Sequence, residues 1–271
     1  MLRLHDHRTG QAMDVPPNAL HVHVHAGRER ALVTADLLRR VAERTRRRAV
    51  LSRAENVRPG TGFAELNLPD MPVVAPEDVP GHAVWVGSED VPGRRCLIVP
   101  QEDRPWAGPA GSAGSAGSAG SAGSAGSAGS AGSAGSAGSA GSAGSAGSAG
   151  SAGSAGSAGD DPLRVRLAIL RERYRDPAAP DGGRVAEAGL DLARWRAAVA
   201  DWARHPGRPM DRAYAAEGQA ALTDDLDSPA ALAVLDRLAE DPGVAPGAKV
   251  ETVIHLDLIL GLDLVADIGR G

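Results

Sequence analysis

The sequence predicts an α/β layer joined by a low-complexity tract to an all-α bundle. Three observations lead to this prediction. Residues 1–110 carry a strand–glycine–helix–strand pattern, residues 111–159 are a perfect Gly-Ser-Ala repeat, and residues 160–271 show only helical periodicity. We therefore expect a reduced Rossmann-like parallel sheet, a disordered linker and a bundle of four to five helices.

The parallel layer is predicted from the segment that starts at ALHVHVHAG. Leu20, Val22 and Val24 alternate with histidines, and a period of two is typical of a strand. Gly27 ends this strand, and apolar residues then recur about every three positions along ALVTADLLRRVAER, as on one face of a helix. AVLSRAENV is the next strand candidate, so the order is that of a parallel crossover.

Two further parts of the amino-terminal segment carry weaker strand signals. MLRLHDH, at the start of the chain, is a short strand candidate. Residues 60–108 are rich in Pro and Gly, and their apolar runs at 82–86 and 96–99 predict short, antiparallel strands.

The carboxy-terminal part is predicted to be helical throughout. Pro162 can begin a helix that carries leucines and Tyr174, and a second helix contains a stripe that includes Trp195 and Trp202, which we assign to the core. A third helix is expected over about residues 209–222. Two more begin at Ser228-Pro229 and at Pro246, and the last ends at Gly261, a typical C-terminal cap.

Composition limits the classes of function. No apolar run approaches the roughly 18 residues of a membrane-spanning helix, and MLRLHDHRTG contains no hydrophobic segment of an export signal. We therefore expect a soluble cytoplasmic protein without a membrane partner. Cys96 is the single cysteine, which excludes an internal disulfide and a cysteine-rich zinc site.

A cluster of arginines crowds the end of the first predicted helix. Either these side chains form a solvated helix end that suits the helix dipole, or they contact phosphate groups of RNA. The cluster consists of Arg39, Arg40, Arg44, Arg46, Arg47 and Arg48.

Several segments together resemble a known family. DPLRVRLAILRERYRDP, LDLARWRAAVADWA, DDLDSPAALAVLDRLA and HLDLILGLDL resemble, in order and spacing, the helical stem-contact region of cysteinyl-tRNA synthetases. This class I family includes the related cysteine ligase of mycothiol synthesis. MLRLHDHRTGQ is similar to the amino terminus of the family, and HAGRERALVTADLLRR resembles its HIGH-motif turn with the helix that follows.

The resemblance implies a nucleotide site at this turn. His25, Ala26, Gly27 and Arg28 fall on the four positions of the motif, so that two of the four residues are kept. In the family, the first histidine contacts the triphosphate of ATP and the glycine admits the adenine. Backbone N–H groups at a strand–glycine–helix turn also favour an anion. We therefore name His25, Gly27 and Arg28 as candidate nucleotide contacts, with a turn kept only by ancestry as the alternative.

Two parts of the family's chemistry are missing from this chain. Members bind the substrate thiol on zinc through Cys, Cys, His and Glu, which a chain with Cys96 as its one thiol does not provide. No sequence like the KMSKS motif, which carries a lysine toward the phosphates in the family, is present either, and Arg28 replaces the last residue of the HIGH turn. Both electrostatic stabilisers of adenylate formation are therefore weakened or absent. We expect no zinc, and we expect that the chain does not activate cysteine.

The resulting hypothesis is a synthetase-like protein that retains binding surfaces for ATP, a tRNA or a protein partner. Arg164, Arg171 and Arg175 are candidate contacts to tRNA phosphate, with simple solvation as the alternative. The rival hypothesis is an active ATP-dependent cysteine or amino-acid ligase with an altered site.

Two other polar groups have open interpretations. Strand residues His21, His23 and His25 point to one side, where they could hold a metal with His5 or His7, or simply form a half-exposed face. The second group, next to Pro229, either caps a helix or binds a cation. It consists of Asp224, Asp225 and Asp227.

Overall fold

The protein is described by a computed structural model that covers residues 1–15, 19–60, 62–100, 161–177 and 181–270. The Gly-Ser-Ala tract, predicted to be a disordered linker, lies outside these residues. The described residues on its two sides belong to one compact unit.

The chain opens with an antiparallel hairpin of β1 (Arg3–Asp6) and β2 (Gln11–Asp14). The MLRLHDH strand candidate is therefore confirmed. Gly10, with φ of +70°, closes the hairpin turn, where its amide donates to the Asp6 carbonyl.

The central sheet has four parallel strands in the order β4-β3-β5-β6. Helix α1 (Glu29–Arg44) connects β3 to β4 and covers the sheet face that carries the valines of β3. The predicted parallel crossover is confirmed. The strands are β3 (Leu20–Val24), β4 (Ala49–Arg53), β5 (Val84–Gly87) and β6 (Arg95–Ile98).

The antiparallel pairing predicted for the last two strands is wrong. Val84 pairs with Arg95 and Gly87 pairs with Ile98, which is parallel register. Residues 88–94 span up to about 23 Å when extended, whereas a four-residue strand is only about 13 Å long. A short loop is thus enough to return the chain to the amino end of the sheet.

Five helices follow within the described residues, and their positions match the predicted periodicities except at the end of α2. Helix α3 contains the predicted tryptophan stripe, in which Trp195 is buried and Trp202 is half-buried under the Lys249 ammonium. Gly261, at φ of +69°, caps α6 as predicted. The helices are α2 (Leu163–Leu170), α3 (Gly182–Trp202), α4 (Arg212–Thr223), α5 (Ser228–Glu240) and α6 (Pro246–Leu260).

Helix α2 ends before Tyr174, which the apolar spacing had placed on the same helix. Tertiary contacts replace helical ones in this turn. The Arg30 guanidinium donates to the Arg173 carbonyl at 2.6 Å, and the buried Tyr174 hydroxyl donates to Asp225 at 2.6 Å.

A buried ion pair joins α1 to α2 across the two parts of the chain. Asp36 and Arg166 are both fully buried, and their side chains meet at 2.8 Å. Arg166 also donates to the carbonyls of Leu66 and Leu260, at 3.0 and 2.7 Å. The sheet layer and the helices therefore share one core.

Candidate nucleotide-binding site

The β3–α1 turn lies where the order of the parallel strands reverses. From β3 the chain passes through α1 to β4 on one side, whereas β5 lies on the other side. In open α/β sheets, ligands bind beyond the carboxyl ends of the strands at such a switch point. The backbone amide of His25 donates to the Val86 carbonyl at 3.1 Å, which holds the turn against β5.

The backbone of the turn requires a glycine at position 27. Gly27 has φ of +106°, a conformation that side chains with a Cβ rarely adopt. A Cβ at this position would lie 2.8 Å from that of Ala31 in the first turn of α1. The strand can therefore pass directly into the helix, as the sequence predicted.

His25 is held at the end of β3 by β5 and the loop after it. Its Nε2 lies 3.0 Å from the Glu89 carbonyl oxygen, and its ring packs beside Trp85. Gly87 makes room for this ring, because a Cβ there would lie 2.6 Å from the His25 Cε1. Gly87 and Glu89 were not among the residues predicted from the sequence, although a glycine directly after the apolar run HAVWV was a usable signal.

The hydrogen bond to Glu89 determines which ring nitrogen of His25 carries the proton. Burial lowers the pKa of His25, so the neutral ring is favoured near neutral pH. A carbonyl only accepts, so Nε2 carries the proton and the buried, unpartnered Nδ1 is an acceptor. His25 can therefore bond a ligand only if its ring leaves Glu89, because Nδ1 is buried and Nε2 already donates to that carbonyl.

The start of α1 offers donors and one acid. No side chain caps the helix, and the exposed guanidinium of Arg28 has no hydrogen-bond or ion-pair partner among the described residues. Glu29 opposes these groups, because its buried carboxylate lies in the first turn and accepts from the Gly60 amide at 2.5 Å. The helix dipole and Arg28 favour an anion here, and Glu29 reduces the attraction.

His21 and His23, the other histidines of β3, both hydrogen-bond to a buried serine. His21 Nε2 and His23 Nδ1 each lie 2.9 Å from the Ser52 hydroxyl oxygen. Ser52, His23, Trp85 and Cys96 form one row across the sheet, given by the strand register. Burial and the neighbouring histidines lower the pKa of His23 to about 4. The side chains of this row are therefore buried and uncharged near neutral pH.

The residues do not fit the zinc site of the resembled family. In the described ranges, no three His, Cys, Asp or Glu side chains come together in a way that could hold a metal ion. Cys96 is buried beside Trp85, and burial raises the pKa of its thiol, which disfavours a thiolate ligand.

The arginines at the end of α1 are largely engaged within the molecule. Arg39 pairs with Asp36 and Glu43, while Arg40 donates to Asp36 and to the carbonyls of Asn67 and Leu258. The remaining contacts are Arg44 with His255 and Arg47 with the Val15 carbonyl, whereas Arg46 and Arg48 are exposed. Most of the cluster holds α1 in place.

The candidate tRNA contacts do not form a free basic surface. Arg171 pairs with Asp191, and Arg175 lies 3.5 Å from Asp225. Arg164 is only 7% exposed, so a phosphate would have to displace its neighbours to reach it.

The acidic run before α5 serves packing and capping. Asp227 caps the helix by accepting from the Ala230 amide at 3.2 Å, as predicted. Asp225 accepts from the His5 amide at 2.7 Å and from the Tyr174 hydroxyl at 2.6 Å.

Replacing Asp225 with alanine is expected to lower the free energy of unfolding by about 2 kcal/mol, since it leaves two half-buried donors without an acceptor. Urea titration followed by circular dichroism measures this. Asp225→Asn is the matched control, because asparagine keeps an acceptor oxygen and tolerates the φ of +59° found here. Equal losses for the two variants would contradict the assignment.

Comparison with known proteins gives two findings. The collagen triple helix repeat model matches residues 106–162. This match follows the glycine at every third position of the Gly-Ser-Ala tract and lies almost entirely outside the described residues.

The second finding concerns ligases. The chain is 39% identical over 108 residues to the L-cysteine:1D-myo-inositol 2-amino-2-deoxy-alpha-D-glucopyranoside ligase of Streptosporangium roseum, a match covering 38% of this chain and 26% of the relative. The same-named ligase of Streptomyces griseus subsp. griseus is 44% identical over 112 residues, with 38% and 25% covered. The chain is related to the cysteine ligases.

This relationship confirms the resemblance to the cysteinyl-tRNA synthetase-like family. The ligase-related chain spans about a quarter of the length of the relatives that it matches. Among the helices that the structure describes, none has the length and apolar character needed to cross a membrane.

Proposed function

We propose that this chain is a nucleotide-binding relative of the cysteine ligases that does not activate cysteine. The β3–α1 turn carries the proposal. It lies at the switch point of the sheet, it has the glycine that the backbone requires, and it presents uncapped helix amides beside Arg28. ATP is the nucleotide that the family resemblance favours.

The side chains at the turn suggest how such a nucleotide would be held. The first amides of α1 and the Arg28 guanidinium would face the phosphates. The His25 ring would border the base or sugar without bonding it, because Nδ1 is buried and Nε2 is bound to the Glu89 carbonyl. Because the donor of His25 is occupied by Glu89 and Glu29 lies in the first turn, phosphate stabilisation would be weaker than in an enzyme with the full motif.

The thiol chemistry supports the proposed loss of cysteine activation. A thiolate cage needs more than one accessible cysteine, whereas this chain has Cys96 alone, buried in the sheet. A tRNA partner receives less support than a nucleotide, because Arg171 and Arg175 already pair with carboxylates.

Calorimetric titration of the full chain with ATP tests the proposal. We expect binding that weakens with salt and that Arg28→Gln reduces about tenfold, the usual effect of one charge-assisted contact. Arg48→Gln is the matched control, since Arg48 is also exposed but lies away from the turn. No heat of binding, or equal affinities for the two variants, would overturn the proposal.

Replacing Gly87 with alanine is expected to reduce ATP affinity several-fold at unchanged helical content. The added Cβ would lie 2.6 Å from the His25 Cε1 and 3.0 Å from the Ala26 backbone nitrogen, so the turn itself would have to move. Gly182→Ala is the control, because a Cβ at Gly182 meets open space. Unaltered ATP affinity in the Gly87 variant would show that the nucleotide does not lie at this turn.

The second candidate function is an active ligase with an altered site. The names of the relatives favour it, since each is described as a cysteine ligase. ATP–pyrophosphate exchange with each of the twenty amino acids distinguishes the two candidates. Exchange with any amino acid would support the ligase.

A further inference from the structure

A cavity lies between the amino-terminal hairpin and β6. Its volume is about 210 Å³, and its apolar wall is formed by Leu4, Met13, Val15 and Leu97. Arg94 and Arg95 line it at the amino end of β6, whereas the candidate nucleotide site lies at the carboxyl end of β3. The two sites are therefore at opposite edges of the sheet.

Arg94 and Arg95 are half-buried and have no carboxylate partner among the described residues. Arg94 lies with its guanidinium carbon 5.4 Å from the centre of the Trp85 ring, which fixes the side chain without neutralising its charge. A partly desolvated guanidinium gains from an anion more than an exposed one does, because less water competes for it.

The carboxylates near the cavity already accept hydrogen bonds from other groups of the protein. Asp6 accepts from the Arg8 amide and the Thr9 hydroxyl within the hairpin turn. Asp90 binds the Arg8 guanidinium through both carboxylate oxygens, at 2.6 and 3.1 Å. These contacts occupy Arg8 as well, so the unpaired charges that line the cavity are the guanidiniums of Arg94 and Arg95 and the single carboxylate of Asp6, which leaves a net positive charge.

We propose that this cavity binds a small amphipathic organic anion, whose oxyanion group meets Arg94 and Arg95 while its apolar body fills the space beside Leu4, Met13 and Leu97. A carboxylate and a phosphate monoester share the required chemistry. The volume accommodates a short chain of about six to eight heavy atoms, because one water-sized molecule takes about 30 Å³.

The test uses the full chain without ATP. Hexanoate and hexyl phosphate are titrated by calorimetry, with hexanol and inorganic phosphate as probes of the apolar and charged parts alone. We expect one or both hexyl anions to bind, and both partial probes to bind at least tenfold more weakly. The better hexyl anion identifies the oxyanion that the arginines prefer.

Variants separate this site from nonspecific attraction. Arg95→Gln is expected to weaken binding of the hexyl anion about tenfold, and Arg94→Gln to do so to a similar extent. Arg48→Gln, which removes an exposed charge elsewhere, should leave the affinity unchanged. Met13→Trp, which fills the cavity without altering its charge, should abolish binding while the far-ultraviolet spectrum stays the same.

Three outcomes would overturn the proposal: no binding of either hexyl anion at millimolar concentration, inorganic phosphate bound as tightly as hexyl phosphate, or full affinity in Met13→Trp. None of them bears on nucleotide binding, since ATP is absent and Arg28 lies at the other edge of the sheet.

Discussion

Replacing Asp36 with alanine is expected to lower the free energy of unfolding by about 3–5 kcal/mol, the range for removing one partner of a buried ion pair. The carboxylate is fully buried and binds Arg39, Arg40 and Arg166 at 2.7–2.8 Å. Without it, the Arg166 guanidinium stays in the core with no counter-charge. Urea titration of the full chain measures the loss.

The matched control is an exposed ion pair. Arg237 and Glu217 are both more than half exposed, so Arg237→Ala is expected to cost less than about 1 kcal/mol. A loss for Asp36→Ala as small as this would contradict the view that the pair fastens the two parts of the chain together.

Low pH should remove the stabilisation that the Asp36 carboxylate provides. Burial would raise the pKa of Asp36, but the attraction of Arg166, Arg40 and Arg39 outweighs it and holds the pKa below the ordinary 3.8. Because the pKa is lower in the folded state than in the unfolded one, the stabilisation is complete above pH 3.8 and is lost as the pH falls through the folded value.

Acidification should begin to destabilise the protein at a higher pH than this, through the titration of His23. Its pKa falls from 6.5 to about 4 on folding, because the ring is buried and neighbouring histidines repel its charge. Between these values the unfolded state binds more protons, so stability decreases as the pH falls from 6.5 to about 4. The expected loss is on the order of 3 kcal/mol, from 1.36 kcal/mol for each pKa unit.

Urea titrations at a series of pH values measure this loss. His23→Phe keeps a ring beside Trp85 and removes the titration, so its stability should depend less on pH in this window. Some dependence should remain, because burial also lowers the pKa of His21, His25 and His255. His205→Asn, at an exposed position, should follow the unaltered chain. An unchanged pH dependence in His23→Phe would show that His23 is not the responsible group.

Local patterns were sufficient to predict the elements near the candidate site. The alternation of Leu20, Val22 and Val24 with histidines predicted β3, and Gly27 predicted the turn, because period and backbone freedom are local properties. The apolar spacing and the proline and glycine boundaries likewise predicted α5 and α6.

Long-range contacts could not be predicted in the same way. Asp36 and Arg166 are 130 residues apart, and nothing in the residues next to either one indicates its partner. The acceptor for His25 is the backbone carbonyl of Glu89, which has no residue-type signal. The parallel register of β6 also depends on the path of a loop rather than on the pattern of the strand.

We propose that this relative of the cysteine ligases holds a nucleotide without activating cysteine. Cysteine-dependent ATP–pyrophosphate exchange, measured at an ATP concentration that saturates the calorimetric signal, tests it most directly. We expect exchange no faster than in a reaction without cysteine. Exchange that requires cysteine and disappears in His25→Ala would contradict it.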